Sequence, residues 1–333
     1  MARINELRLV ARVARLYFVE QLKQVDIAER LHISQASISR LLQRARDEGI
    51  VRISVEPPRG TFPELEEQLC HRFGLSEAII ADCDDDRDEH ILARIGEAAA
   101  HYVETTLHDG EVIGISSWSE SLLRTVDNIH PLKRVAAKSV VQILGGMGDP
   151  SVQAHANHLT GRLARLTQAT PVLLATQGVA GSAEARNALL QDHFVQACMA
   201  QFSDVTMALV GVGAREPSKL LRDSGNVFTG SELQDLERLG AVGDICLHFF
   251  DQDGKAIESP FNDRVIGITL AELRNVPRVV AVAGGRRKWR ALRAALRGRL
   301  IDVLITDGFT GRALAEDVAP EHGQKEEEKR HVA

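Results

Sequence analysis

The run Gln24 to Arg46, QVDIAERLHISQASISRLLQRAR, constrains this chain more than any other stretch. Ile27, Ala28 and Leu31 recur at the spacing of one buried helical stripe. After a turn at His32-Ile33, Ser34 is a favourable N-cap for a second helix that begins at Gln35. In that helix Ile38, Leu41, Leu42 and Ala45 share an inward face, which leaves Gln35, Ala36, Ser39, Arg40, Gln43 and Arg44 outward. Small and amide side chains at the start of a helix, with arginines further along, suit a major groove. Short polar groups there reach base edges, and arginines reach guanine or phosphate. The expected roles are base contact for Gln35, Ser39 and Arg40, and backbone contact for Gln43 and Arg44.

With Ala28 at the helix crossing, this pattern resembles the helix-turn-helix of bacterial regulators. One position departs from it. The turn carries His32 where the family usually has Gly, so a left-handed backbone is expected on a residue that tolerates it at some cost. Leu7 to Glu20 is read as a first helix covering the pair, which makes residues 1–56 an all-α head. Val51 to Val55 alternates like a short strand leaving it, and residues 57–61, around Pro57-Pro58, form a linker. The head is basic, with eleven Lys/Arg against seven acids over residues 1–60. The whole chain is -6, so the remainder is -10 and only the head is suited to approach DNA.

Residues 62–318 read as a second, larger α/β domain, opened by an amphipathic helix from Phe62 to Phe73. Strand-like runs alternate with helical patterns from Glu77 onward: EAIIAD, EVIGIS, SVVQILGG, PVLLAT, VTMALVGVG, DICLHFF, RVIGIT, RVVAVAGG and IDVLITD. Such alternation, rich in β-branched residues and poor in aromatics, predicts a mainly parallel sheet. The acid-rich Asp82 to Glu89 matches no calcium loop and reads as a solvated helix start. Residues 319–333 are expected to be a disordered tail. Four scattered cysteines (Cys70, Cys83, Cys198, Cys246) show no paired spacing, so neither a disulfide frame nor a zinc site is expected. With no signal peptide and no apolar run of membrane-spanning length, the expectation is a cytoplasmic protein without a membrane partner.

Several strands run into small-residue loops: Gly114 to Ser121, Gly145 to Gly148, Gly211 to Gly213 and Gly284-Gly285. In a parallel sheet these gather at the carboxyl ends of the strands, where ligands bind. The runs GAVGDICLHFFDQDGK and RVIGITLAELRNVPRVVAVAGGRRKWRALRAALRGRLIDVLITD resemble the effector-binding domain of the SorC family of sugar-responsive regulators. That domain in turn resembles sugar-phosphate isomerases and deaminases of the NagB/RpiA type. The resemblance implies a ligand-responsive transcriptional regulator of carbohydrate catabolism that needs no cofactor, metal or catalytic residue. It implies that Asp244 accepts hydrogen bonds from sugar hydroxyls and that Lys288 meets hydroxyls or an anionic group. It also implies that the loop carrying Ser117, Ser119, Glu120 and Ser121 holds a phosphate or its equivalent, and that Asn157 lines the pocket.

Here too the chain departs from the family. Trp118-Ser119-Glu120-Ser121 replaces a loop with Gly and Thr, and Leu144 stands where some relatives carry a basic residue. A carboxylate at Glu120 repels phosphate, although Ser117 and Glu120 also have capping-box spacing. The effector is therefore expected to be a sugar, a polyol or a sugar phosphate. Operator DNA on a two-fold repeat implies a homo-oligomer, a dimer or tetramer. The alternative is an isomerase- or deaminase-like enzyme with an accessory head. It is disfavoured because Asp244 is the one strong carboxylate placed in the pocket and no His converges on it.

Overall fold

The computed structural model describes residues 2–52, 58, 60–214 and 216–318. Residues 319–333 and most of the Val51–Val55 run lie outside them, as does part of the linker. The chain divides into two units, Met1–Pro58 and Arg59–Ala333, and each is taken by itself.

Among its described residues the first unit has three helices, α1 (Ala2–Phe18), α2 (Gln24–Leu31) and α3 (Gln35–Asp47). α1 begins before the expected Leu7 and ends two residues before Glu20, where the chain turns through Gln21 at φ 54°. His32 closes α2 in the left-handed region at φ 53°, and Ser34 caps α3 by accepting the Ser37 N–H at 3.2 Å. Val13, Leu16, Ile27, Ile38 and Leu42 form the core, with Val10, Ala14 and Ala45 beside it. Ile38 is wholly buried. Cutting it to Ala should cost about 2–5 kcal/mol, a large share of what so small a core supplies.

Among its described residues the second unit contains ten strands: β1 (Glu77–Ala81), β2 (Val112–Ile115), β3 (Ser139–Gln142), β4 (Thr170–Val172), β5 (Met207–Val210), β6 (Gly213–Ala214), β7 (Gly243–Ile245), β8 (His248–Phe250), β9 (Arg278–Val282) and β10 (Val303–Asp307). Seven make one sheet in the order β1-β10-β9-β5-β2-β3-β4, parallel throughout. Side chains alternate across a strand, so successive residues serve opposite faces. Val112, Val141, Ala208, Val279 and Leu304 belong to the core on one face, and Ile113, Val140, Met207, Val280 and Ile305 to the core on the other. Both faces are covered, by helices that include α4 (Pro63–Phe73), α5 (Asp88–Thr106), α6 (Glu120–Asn128) and α7 (Pro150–Leu166). This is why the strands read as continuous apolar runs.

Two of the expected strands fold otherwise. DICLHFF is broken at Cys246-Leu247, both in the left-handed region (φ 50° and 63°), into a β7–β8 hairpin. With β6 it forms a separate antiparallel sheet of three strands. RVIGIT makes only isolated bridges, Val265 with Val179 and Gly267 with Leu144. It runs as a buried strap whose backbone bonds go to neighbouring loops, Gly145 N–H to Ile266 O and Ile268 N–H to Ile143 O.

Candidate functional site

The carboxyl ends of β2, β5 and β9 lead into one cleft. Ser116, Trp118, Ser119 and Glu120 come from the loop after β2, and Gly211 to Ala214 from the loop after β5 and from β6. Gly284, Arg287 and Lys288 follow β9, and Asp244, Cys246 and Leu247 come from the β7–β8 hairpin. Asp88, Glu216 and Ser218 complete the rim.

Asp244 is 8% exposed, and its carboxylate accepts the Leu247 N–H at 3.0 Å, inside the hairpin turn. Burial raises its pKa to about 6, against the opposing pull of the Leu247 bond and of the Lys288 charge. Lys288 sits at the end of a short 3-10 turn, Arg286–Lys288. Desolvation lowers its pKa, while Glu120 and Asp244 act to raise it. Its ammonium has no ion-pair partner among the described residues, whereas Arg286 pairs with Asp86 and Arg287 with Asp88 at 3.4 Å. The Cys246 thiol is pushed up to about 12 by burial, so it lines the cleft as an unreactive apolar group.

Of the expected ligand residues, Ser119, Glu120, Asp244 and Lys288 meet in this cleft. Ser117 and Ser121 turn away from it: Ser117 donates to Leu144 O and Ser121 to Val282 O, each at 2.6 Å. They bind the loop to neighbouring strands, and both are almost fully buried. Asn157 is exposed on α7, one residue past the buried Ala156, so its helical position points away from the core side and it lines no part of the cleft. The capping box expected between Ser117 and Glu120 is not formed. Ser119 is the N-cap of α6, accepting from Leu122 N–H, and Glu120 accepts the Leu220 N–H at 3.1 Å. Asp88, Glu216, Ser218 and Cys246 escaped sequence reasoning because no local motif marks them; only the chain's path brings them together. Asp307, next to the cleft, is structural, holding Phe309, Thr310 and Gly285 N–H groups at 2.8–3.0 Å.

In the first unit Gln35, Ala36, Ser39, Arg40 and Gln43 are exposed on α3. Arg44 is tied to Glu6 and Glu48 at 2.6 Å each, and Gln43 to Asp47 at 2.9 Å, so these two brace the helix surface. Among the described residues Arg40 bonds only the Ala36 carbonyl of its own helix, at 3.3 Å.

Residues 60–316 match the Sugar-bind family, a sugar-binding domain. The chain is 33% identical over 311 residues to the deoxyribonucleoside regulator of Bacillus subtilis strain 168, covering 93% of this chain and 98% of that protein. It is 31% identical to the sorbitol operon regulator of Klebsiella pneumoniae, over 94% of this chain and 99% of that protein. The crystal structure of the full-length sorbitol operon regulator SorC from Klebsiella pneumoniae superposes with a TM-score of 0.68 at 29% identity, covering 93% and 99% of the two chains.

Proposed function

The chain belongs to the sugar-binding family of SorC- and DeoR-type transcriptional regulators, and from that membership we propose how this ligand-responsive regulator divides its work. The outward face of α3 reads an operator. The cleft around Asp244 and Lys288 senses a sugar, polyol or sugar phosphate, and occupancy controls genes of carbohydrate catabolism. The active species is a homo-oligomer in the cytoplasm, because one head makes too few base contacts for tight specific binding.

The observation that carries the effector site is a pair of charges not neutralised by each other. Asp244 is buried and Lys288 has no ion-pair partner among the described residues, yet both face the cleft. Charges out of water are ordinarily paired, so a hydroxyl-bearing ligand that bonds both supports the arrangement best. Thermal denaturation against a panel of sugars, polyols and their monophosphates tests it. A member that stabilises the wild type, and fails to stabilise Asp244→Asn, is the expected result. Equal stabilisation of both proteins would move the site elsewhere.

A second reading draws on the carboxylates of the cleft. Asp88, Glu120, Glu216 and Asp244 give more carboxylates than the sequence placed there, and Asp244, its pKa raised by burial to about 6, is suited to proton transfer. The relatives are regulators, which favours sensing over turnover. Product formation from the same panel, followed by NMR, separates the two.

A further inference from the structure

Among the described residues the cleft is lined by four acidic side chains, Asp88, Glu120, Glu216 and Asp244, against two basic ones, Arg287 and Lys288. Arg287 is engaged by Asp88, which leaves Lys288 facing an excess of carboxylates. Glu120 is the first residue of α6. The free N–H groups of a helix start ordinarily make that place attractive to an anion, and here the first residue of the helix itself carries a carboxylate. The Ser119 hydroxyl beside it is committed as well. Ser119 caps α6 through Leu122 N–H and shares a 3.0 Å bond with Ser121, whose own proton goes to Val282 O. A ligand beside Glu120 meets a carboxylate acceptor and no free proton on Ser119. Sugar hydroxyls supply donors, whereas a phosphate dianion supplies none and adds like charge.

We propose that the cleft takes an uncharged polyhydroxylated ligand, a free sugar or polyol, and that Glu120 excludes the phosphorylated counterpart. The proposal rests on the cleft being the effector site. Glu120 acts by charge, since its Leu220 contact needs only an acceptor oxygen. Glu120→Gln keeps that oxygen and removes the charge, so the fold is retained.

The test uses the full chain and inorganic phosphate as probe, with binding read by 31P NMR line broadening and by thermal denaturation at ionic strength matched with chloride. Wild type should show no saturable response beyond that of chloride. Glu120→Gln should gain phosphate affinity by about tenfold or more, the size expected for removing one like charge several ångströms away in a partly wetted cleft. Adding Lys288→Ala should abolish the gain. Saturable binding by wild type that Lys288→Ala removes overturns the proposal and leaves the effector site in place. Absence of any gain in Glu120→Gln, or a gain that survives loss of Lys288, overturns it too. Failure of the effector-site reading shows differently, as polyol stabilisation that Asp244→Asn leaves intact.

Discussion

Gly213 and Asp244 oppose each other in register across β6 and β7, and a Cβ on Gly213 would lie 1.9 Å from Asp244 Oδ1. The buried carboxylate can lie against the strand only because its partner has no side chain. In Gly213→Ala either the carboxylate rotates away from the Leu247 N–H or the two strands part. Overpacking of this kind costs about 1–3 kcal/mol. The variant is expected to melt at lower temperature and to lose effector response as an Asp244 substitution does. Thermal denaturation together with effector titration checks both, and a variant that melts early but responds normally refutes the link to Asp244.

The same hairpin sets a pH dependence with two opposing parts. Asp244 has a folded pKa of about 6, above its ordinary value of 3.8. Its contribution to stability is therefore complete below about pH 4 and is lost as pH rises through about 6. His248, buried on the hairpin's second strand, is lowered by desolvation to about 4 from 6.5. Its contribution is complete above about pH 6.5 and is lost as pH falls through about 4. The two slopes oppose across pH 4–6.5. Asp244→Asn should leave stability rising with pH in that window more steeply than in wild type, by up to about 3 kcal/mol in total. Denaturant titrations at several pH values measure the difference, and parallel curves for the two proteins would refute it.

Much of this was legible in the chain itself, because local chemistry decided it. Ser34, His32 and the inward Ile38–Leu42–Ala45 stripe mark the head, and strands buried on both faces announce a parallel sheet by their apolar runs. What stayed hidden depends on the third dimension. DICLHFF has the composition of one strand, and only the left-handed pair Cys246-Leu247 turns it into a hairpin. Ser117 and Ser119 are indistinguishable as residue types two positions apart, yet one bonds a neighbouring strand and the other faces the cleft. Glu120 had capping-box spacing, but its partner, Leu220 N–H, lies a hundred residues on.

On α3 the arginines are expected to separate by role. Arg40 is exposed and, among the described residues, bonds only its own helix, whereas Arg44 holds Glu6 of α1 and Glu48. Arg40→Ala or Gln35→Ala should relax operator selectivity, since a bidentate base contact is worth about 1–3 kcal/mol of discrimination. Arg44→Ala should lower the head's melting temperature slightly and leave selectivity intact. Competition binding with mutated operators, beside a melting curve for each variant, distinguishes them. Unchanged selectivity in both Arg40→Ala and Gln35→Ala would remove α3 from the base-reading role.

Residues 62–333 carry their own double-faced core, and the acidic balance of the chain lies there. Expressed alone, this segment should form a soluble oligomer that retains effector stabilisation and has no affinity for operator DNA. Sedimentation and a mobility-shift assay report on the two halves of that expectation. A monomer, or a fragment that still shifts the operator, contradicts it.

The sharpest expectation concerns the coupling between the two units. Asp244 and Lys288 line a cleft that lies wholly in the second unit, and α3 lies in the first. Losing one charged hydrogen bond to a ligand in a partly desolvated site costs about 1.5–3 kcal/mol, or roughly ten- to a hundredfold in effector affinity. Effector controls DNA binding only through unequal affinity for the DNA-competent and incompetent arrangements. Weakening its grip therefore leaves the operator affinity of the effector-free protein unchanged and shifts the response to higher effector concentration. Asp244→Asn and Lys288→Ala should each occupy the operator like wild type and respond poorly. The measurement is operator affinity across an effector titration for all three proteins. Responses at the wild-type concentration in both variants would take the effector out of this cleft, and weakened operator binding without effector would tie these residues to the DNA-competent state itself.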